Sequence, residues 1–567
     1  MLFLYIFAVM GAYFPSIEAE KNLKVLNASC GPVRGNIYQH GNQTVDGYLG
    51  IPFAKAPIGS LRYKKPVLAD KWTETLDCYS YGPGCPQSGL YPFSPQGSQN
   101  YTEDNCLNLN VFVPKTKISE SSEGLPVVVY FFGGGFEIGA SSTIDDFYLS
   151  KTLPLKGLIV VTANYRVGPL GFFTTGDEVA KGNYGLWDQT LALKWVQEHI
   201  ASFGGDPDSV TIFGTSAGAA SVDFLALSPH SNKLFHRFMS NSGSAFCDFA
   251  IRPKELQATV FREFAKFQGY TGNDSTSLLR WYQDQDPKIF TETSKFQRPA
   301  SGFLSFIPNF DGDFFPKPFD ELRKMAPKID VLATETEYEG LIMAAFQPKN
   351  TTFDEVVATI FAPDRVKDPE ATKKKIVDFY MKDVDVNDTN AVTKKMIEVS
   401  FSTEYIPKLV SLQFIGDSEF NIGALNSVRS SLKYGNNVYL GSFDYFNKYS
   451  ENPVTMLFPF KAAYHGSDLR YILGESMEKY KATEEEFKVV DMMGTFVANF
   501  AKYGNPNGKN EPEIWEKYSA DHPERYFKIN YPKSEMKENF QNIRLKIYDE
   551  INANAIKYQE IVYGRKI

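Results

Sequence analysis

The sequence predicts an α/β fold, with a mainly parallel central sheet and helices on both of its faces. Short apolar runs rich in β-branched and aromatic residues are typical of buried strands. Such runs recur at 127–132, 158–163, 210–213, 329–333 and 438–443. Between them, residues 186–202 carry apolar side chains at helical spacing, and Gly204 and Gly205 then end the segment. Strands that alternate with helices favour a parallel sheet covered on both faces.

The chain is predicted to form one large globular domain, although its length alone would allow three or four. No internal repeat or low-complexity linker divides the 567 residues, so we predict a single domain over 20–567 with long insertions. A hydrophobic fraction of 43% is ample for a packed core and excludes disorder as the main state. The formal net charge of −8 argues against nucleic acid as a partner, because such proteins need basic surfaces to replace phosphate counterions.

The first residues predict entry into the secretory pathway and an extracellular protein. Residues 1–13 are almost entirely apolar, but a membrane-spanning helix needs about 20 such residues. We therefore predict a signal peptide over 1–19; the alternative is a buried amino-terminal helix. No later stretch is apolar enough to predict a membrane span. Six Asn-x-Ser/Thr sequons predict glycosylation, at Asn27, Asn42, Asn100, Asn273, Asn350 and Asn387.

The cysteines agree with an oxidising compartment. There are five, and all except Cys247 lie in the first fifth of the chain. Disulfides are therefore expected near the amino terminus, and the odd count leaves at least one thiol unpaired, which we expect to be Cys247. No pair of cysteines and no His/Cys cluster has the spacing of a zinc site. We predict neither a metal nor a cofactor.

A candidate nucleophile lies in residues 214–218, which read Gly-Thr-Ser-Ala-Gly. This G-x-S-x-G pattern follows the strand predicted at 210–213 and precedes a helix-compatible segment. Such a turn holds the serine, here Ser216, above the sheet at the start of the helix, while the small glycines avoid backbone clashes. The helix dipole and the amide of Ala217 could then stabilise a developing oxyanion. The alternative is an ordinary glycine-rich turn.

A second glycine-rich segment, 132–136 (Phe-Gly-Gly-Gly-Phe), follows the strand predicted at 127–132. Its position after an early strand is typical of the loop that donates backbone amides to the substrate oxygen in serine hydrolases of this architecture. The competing interpretation is a phosphate-binding loop. That alternative lacks the G-x-x-x-x-G-K-[ST] pattern, and no G-x-G-x-x-G stands in a suitable βαβ unit.

The chain resembles the type-B carboxylesterases, a family that includes the cholinesterases. The similarity covers most of the chain and rests on four blocks, at 50–59, 103–114, 164–172 and 182–218. The resemblance implies the α/β-hydrolase fold and action on small-molecule carboxylic esters. It also implies that the amides of Gly134, Gly135 and Ala217 form the oxyanion hole.

The base is predicted to be His465. In this fold the acid and then the histidine follow the serine along the chain. His465 lies in a loop before a helix, with Gly466 beside it, and residues 463–474 resemble the family's catalytic-histidine segment. The other histidines after Ser216 are predicted to be surface or core residues; they are His230, His236 and His522.

The acid is less clearly marked, because residues 334–340 contain three glutamates, Glu335, Glu337 and Glu339. The residues alone leave all three open. The resemblance selects Glu339, since the family's acid directly precedes a glycine after such a strand. Glu335 and Glu337 are then expected either to face solvent or to lie behind the reacting groups.

Some residues depart from the family pattern. Thr215 stands where the family usually has glutamate, which predicts an altered pH profile or substrate preference. The resemblance assigns one disulfide to Cys85–Cys106, and we predict a second one, Cys30–Cys78. The loop between Cys85 and Cys106 has no tryptophan to hold a quaternary ammonium by a cation–π contact, so choline esters are unexpected substrates.

Two other functions remain possible from the sequence. Adhesion proteins share this family's fold without a complete triad, whereas this chain retains Ser216, Glu339 and His465. Acyl transfer to an alcohol or amine would use the same acyl-enzyme as hydrolysis, and the sequence cannot separate the two. We favour a secreted carboxylesterase.

Overall fold

The structure is a computed structural model that is built around one large mixed sheet. It describes residues 24–88, 101–115, 124–293, 296, 303–345, 352–363, 365–381, 406–447, 455–477, 482–543, 546–553, 555 and 557–565. The strands are β1 Leu26–Ala28, β2 Gly31–Arg34, β3 Asn36–His40, β4 Gln43–Pro52, β5 Leu76–Asp77, β6 Asn108–Pro114, β7 Leu125–Phe131, β8 Ile159–Ala163, β9 Gly205–Thr215, β10 Arg237–Asn241, β11 Arg252–Pro253, β12 Asn309–Phe310, β13 Asp330–Thr336, β14 Asn437–Phe443, β15 Tyr526–Ile529 and β16 Glu535–Lys537.

The helices lie between and after these strands. They are α1 Asp146–Ser150, α2 Gly168–Phe172, α3 Tyr184–His199, α4 Ala217–Leu227, α5 Lys254–Phe267, α6 Ser275–Asp284, α7 Phe319–Met325, α8 Phe353–Ile360, α9 Pro369–Met381, α10 Ile406–Ile415, α11 Ile422–Lys433, α12 Leu469–Ile472, α13 Glu484–Tyr503 and α14 Lys546–Asn552. A π-helical turn, Gly416–Asn421, joins α10 to α11.

The main sheet has eleven strands in the order β16-β15-β14-β13-β10-β9-β7-β8-β6-β4-β3. Its seven central strands, from β15 to β8, run parallel to one another. Strand β16 pairs antiparallel with β15, and β6, β4 and β3 continue the sheet antiparallel beyond β8. The architecture is the α/β-hydrolase fold that the sequence predicted. Parallel strands end at a common edge, so the loops after β9, β10 and β13 lie side by side there.

Apolar side chains cover both faces of the sheet. Along β7, Val129 and Phe131 belong to one buried cluster, whereas Val128 and Tyr130 belong to the cluster on the opposite face. This division follows from the alternation of side chains along a strand. A strand that is buried on both faces reads as a continuous apolar run, which explains why β7 could be recognised in the sequence.

The structure contains the disulfide between Cys85 and Cys106. Cys247 is a buried free thiol, as expected. The prediction of a Cys30–Cys78 disulfide is wrong: both thiols are free and buried. The amide of Cys78 donates to the carbonyl of Arg34, four residues along the chain from Cys30. Four extended residues span about 13 Å, so Cys30 lies well away from the point where Cys78 meets the strand. A disulfide requires Cα atoms within about 7 Å of each other, and the two cysteines are too far apart to form one.

We expect reduction of the Cys85–Cys106 bridge, or the change Cys106→Ser, to destabilise the protein. The bridge joins residues 21 positions apart. A bridge that closes a loop of that length raises the free energy of unfolding by about 3 kcal/mol, and its loss removes this contribution. Urea denaturation of the parent and the variant measures this difference. Because Cys247 is free and buried, Cys247→Ser is the control for removing a thiol without a bridge; equal losses in both variants would contradict the prediction.

The secretion markers lie partly outside the described residues. Asn27, Asn42 and Asn273 are exposed, so their side chains are accessible for glycosylation. The other predicted sequons, at Asn100, Asn350 and Asn387, and the predicted signal peptide at 1–19, lie outside the described residues. Among the helices that the structure describes, none combines the length and apolar character needed to span a membrane.

Candidate active site

Ser216 occupies a sharp turn between β9 and α4. Its backbone has φ 60° and ψ −124°, a conformation that non-glycine residues rarely adopt and that is often found at functional sites. The turn is tight because a Cβ on Gly214 would lie 2.1 Å from the carbonyl oxygen of Gly218, and one on Gly218 would lie 2.1 Å from that of Phe131. Both glycines of the G-x-S-x-G pattern are therefore required by close backbone packing.

The loop of glycines after β7 packs against this turn. A Cβ on Gly133 would lie 2.6 Å from the carbonyl oxygen of Thr215 and 2.9 Å from the Cβ of Ser216. Among the described residues, no hydrogen bond is donated by the amides of Gly134, Gly135 or Ala217. Backbone amides beside a serine hydroxyl at a helix start can bind a developing negative charge.

Glu339 and His465 are hydrogen-bonded to each other. His465 Nδ1 lies 2.6 Å from Glu339 Oε2. Glu339 follows β13 and is 1% exposed, while the His465 side chain is 12% exposed. The two loops are joined by the amide of Tyr338, which donates to the carbonyl of Ala463 over 3.1 Å. This contact fixes the carboxylate and the imidazole relative to each other.

The surroundings of Glu339 favour its charged form. Burial raises the pKa of this carboxyl, but the His465 imidazole and the hydrogen bonds from Ser242 and Thr336 outweigh burial and hold the pKa below its usual value. Ser242 Oγ donates to Glu339 Oε1 over 2.6 Å, and the Thr336 amide donates to the same oxygen over 2.5 Å. An anionic Glu339 accepts a hydrogen bond from the Nδ1–H of His465, which leaves Nε2 unprotonated and able to act as a base.

Residues 241–243, which are the last residue of β10 and the two that follow it, connect Ser216 with Glu339. The Ser216 amide donates to the carbonyl of Asn241 over 2.9 Å, and Ser242 holds Glu339. A Cβ on Gly243 would lie 2.7 Å from the Ser216 carbonyl oxygen. The candidate serine, acid and histidine are thus brought to one edge of the sheet. Within this described region, no hydrogen bond joins Ser216 Oγ to His465.

The π-helical turn packs against the acid and the imidazole. The Phe420 ring lies over His465, with 4.5 Å between the ring centroids. A Cβ on Gly340 would lie 1.9 Å from the carbonyl oxygen of Leu412. The glycine after Glu339 is therefore needed so that α10 can approach the acid, which gives a physical reason for the Glu-Gly pair.

Two further carboxyls lie in the same buried region: Asp468, which the sequence had not singled out, and Glu335, which was expected either to face solvent or to lie behind the reacting groups. Asp468 Oδ2 accepts from Asn241 Nδ2 over 2.7 Å, and burial raises the pKa of Asp468 to about 6. Glu335 is 1% exposed, and burial together with Glu339 raises its pKa well above the ordinary value. Glu335 thus lies behind the acid rather than in solvent, whereas Glu337 is half-buried.

We expect Asp468→Asn to stabilise the protein above about pH 6. Because folding raises the pKa of Asp468 from 3.8 to about 6, the native state binds the proton more tightly than the unfolded chain. Stability is therefore lost as the pH rises through that interval. Asparagine does not titrate and keeps an acceptor for Asn241. Its advantage should grow between about pH 4 and 6 and reach about 3 kcal/mol.

Unfolding in urea at a series of pH values tests the Asp468 prediction. A difference between parent and Asp468→Asn that stays constant from pH 5 to pH 7 would contradict it. Asp521→Asn is a matched control, because Asp521 is exposed.

The remaining histidines after Ser216 have structural contacts or face solvent. His230 Nε2 lies 3.0 Å from the carbonyl oxygen of Asp313, and His236 Nδ1 accepts from the Val210 amide over 3.2 Å. His522 is exposed. In the part of the chain that the structure describes, no group of three or more His, Cys, Asp or Glu could hold a metal ion.

The chain is similar to known proteins over most of its length. Residues 22–548 match the family model described as the carboxylesterase family. The chain is 49% identical to Esterase cest-33 of Caenorhabditis elegans, over 98% of this chain and 99% of that protein. It is 32% identical to the mouse cholinesterase, over 95% of this chain and 87% of that protein. It is also 32% identical to rabbit liver carboxylesterase 1, over 86% of each chain.

Proposed function

The chain belongs to the carboxylesterase family, whose members are serine hydrolases of carboxylic esters, and from that membership we propose that Ser216, Glu339 and His465 form its catalytic triad. The observation that carries this proposal is the hydrogen bond of 2.6 Å between His465 Nδ1 and the buried Glu339, at the sheet edge where the strained turn presents Ser216. The function that we propose is that of a secreted serine esterase that acts on small-molecule esters.

The chemistry follows from which group is charged and which is neutral. Glu339 holds a proton on Nδ1 of His465, so Nε2 accepts the Ser216 proton as Oγ attacks the ester carbonyl. The imidazolium that forms is stabilised by the Glu339 carboxylate and then protonates the departing alcohol. Water, activated by the same imidazole, attacks the acyl-enzyme and releases the acid.

The amides of Gly134, Gly135 and Ala217 are proposed to stabilise the oxyanion. The packing of the glycine loop against the Ser216 turn supports this role, as does the absence of other acceptors for these amides among the described residues. Removing one such donor typically costs about 3–4 kcal/mol at the transition state. Thr215, which is buried beside the serine, supplies no charge where the family usually has glutamate.

Labelling with a fluorophosphonate probe tests the proposed function. The phosphonate reacts with a serine that is activated by a neighbouring base, and peptide mapping then locates the adduct. We expect one modified residue, Ser216, and no labelling of His465→Ala. A folded parent protein that does not react would contradict the proposal and favour a binding protein with the same fold.

The accessible sequons at Asn27, Asn42 and Asn273 support the proposed secretion. Finding that the secreted protein has been cleaved after Ala19 would support the proposed signal peptide, and an uncleaved amino terminus would contradict it.

A further inference from the structure

Glu335 is a buried carboxyl that the proposed reaction does not use. It lies on β13, four residues before Glu339, in register with Ser442 of β14. Only 1% of the residue is exposed, and both carboxyl oxygens are inaccessible to solvent. Removing an ionised carboxylate from water without a cationic partner costs several kcal/mol. Its position directly behind the proposed acid therefore requires an explanation.

The groups that face Glu335 do not neutralise a negative charge. The residue after Glu335, Thr336, donates its amide to Glu339 Oε1, which brings the Glu339 carboxyl next to this end of β13. The loop after β10 also approaches here, where the Ser242 amide donates to the Thr334 carbonyl over 2.8 Å. The titratable groups around it are Glu339, Asp468 and the thiol of Cys247. Among the described residues, no lysine, arginine or histidine side chain is paired with either oxygen of Glu335. Two carboxyls in such a position share at least one proton.

The hydrogen bonds of Glu339 decide which of the two carboxyls carries that proton. Glu339 accepts from His465, Ser242 and the Thr336 amide, and these three donors stabilise its anionic form. A carboxylate has about four acceptor sites, so one site remains for a further donor. Glu335 has no comparable set of donors. The opposite directions of the two pKa shifts, raised for Glu335 and lowered for Glu339, agree with this assignment.

We infer that Glu335 is a positioning residue, a neutral carboxylic acid whose O–H donates to the Glu339 carboxylate. A chain of carboxylic acid, carboxylate and imidazole then runs from the core to His465. The added hydrogen bond fixes the rotamer of Glu339 and spreads its negative charge. This inference rests on the proposed function, because it gives Glu335 a role through the proposed acid.

Two substitutions separate a neutral Glu335 from an ionised one. Glu335→Gln is close in shape, cannot ionise and still offers an N–H donor, so we expect the parent's kcat/KM and an unchanged acidic limb of its pH profile. Glu335→Leu removes the donor and concentrates charge on Glu339, which favours the imidazolium. Its acidic limb should move to higher pH, and kcat should fall about 10-fold or more through misplacement of Glu339, with KM little changed.

The opposite results would overturn the inference. If Glu335 is ionised in the parent, Glu335→Gln removes a negative charge near His465 and moves the acidic limb to lower pH. A Glu335→Leu variant with the parent's profile, whatever its rate, would reduce Glu335 to a packing residue. Glu337→Gln, on the same segment but half-buried, controls for removing a nearby carboxylate.

An infrared measurement tests the protonation without using activity. The difference spectrum of parent minus Glu335→Gln, at neutral pH, should contain the C=O stretching band of a protonated carboxylic acid, shifted in D₂O. Asp468 is present in both proteins, so its band cancels. Absence of the band would overturn the inference even if Glu335→Leu failed to fold. If the proposed triad were wrong instead, Ser216→Ala would hydrolyse ester at the parent's rate irrespective of Glu335.

Discussion

Ser216→Ala is expected to lower kcat for a nitrophenyl ester by about 10⁴-fold or more, because the variant has no nucleophile and cannot form an acyl-enzyme. Binding should change little, since alanine keeps the backbone of the turn and the amide of Ala217 stays at the start of α4. The remaining activity would come from direct attack of water on the bound ester, with the oxyanion stabilised by the backbone amides of the proposed oxyanion hole. Initial rates at saturating ester, with the fluorophosphonate as an active-site titrant in the parent, measure the loss.

Ser519→Ala is the matched control for this experiment. Ser519 follows Tyr518, whose amide donates to Val438 at the start of β14, so it lies at the opposite edge of the sheet from Ser216. This control should hydrolyse the ester as the parent does. Ester hydrolysis by Ser216→Ala at a rate near that of the parent would show that another residue is the nucleophile.

The centre of the sheet was predictable because it is buried on both faces. The apolar runs at 127–132 and 158–163 coincide with β7 and β8, and the run at 210–213 lies within the longer β9. The strand β10 was not predicted, because its sequence, Arg-Phe-Met-Ser-Asn, ends in the polar residues that serve the site. The antiparallel strands on the β3 side were also missed, since polar residues interrupt their apolar patterns.

The candidate site was predictable where backbone packing constrains the sequence. Gly214, Gly218 and Gly340 leave visible patterns because any side chain at these positions would collide with a carbonyl oxygen. The contacts of Ser242 and Asp468 leave no such pattern, since serine and aspartate occur in any polar loop. Their roles depend on which loops meet at the sheet edge, and that is set by strand order rather than by local sequence.

The glutamates of residues 334–340 show the same limit. Alternation along a strand would place Glu335, Glu337 and Glu339 on one side, but β13 ends at Thr336 and the chain then turns. Glu335 therefore points into the core, Glu337 is half-buried, and Glu339 reaches His465. Only the place where the strand stops distinguishes them, and the boundary of a strand is the feature that sequence patterns define least well.

Glu339→Gln is expected to reduce kcat by about 10³–10⁴-fold while KM changes little. The reason lies in the donors around the acid. Thr336 and Ser242 both donate to Oε1, so the glutamine oxygen must take that position and its NH₂ group must face His465. His465 Nδ1 then accepts instead of donating, and the proton moves to Nε2. An imidazole protonated on Nε2 cannot take the proton from Ser216.

Steady-state kinetics of Glu339→Gln, with Glu337→Gln as the control, tests this argument. Glu337 lies two residues away on the same segment but does not contact His465 in the described structure, so its variant should keep the parent's rate. A Glu339→Gln variant within tenfold of the parent would contradict the tautomer argument. Because labelling by the fluorophosphonate also requires a base, the same variant should react with the probe slowly although Ser216 is intact. Slow labelling together with an unchanged melting temperature would locate the defect in proton transfer rather than in folding.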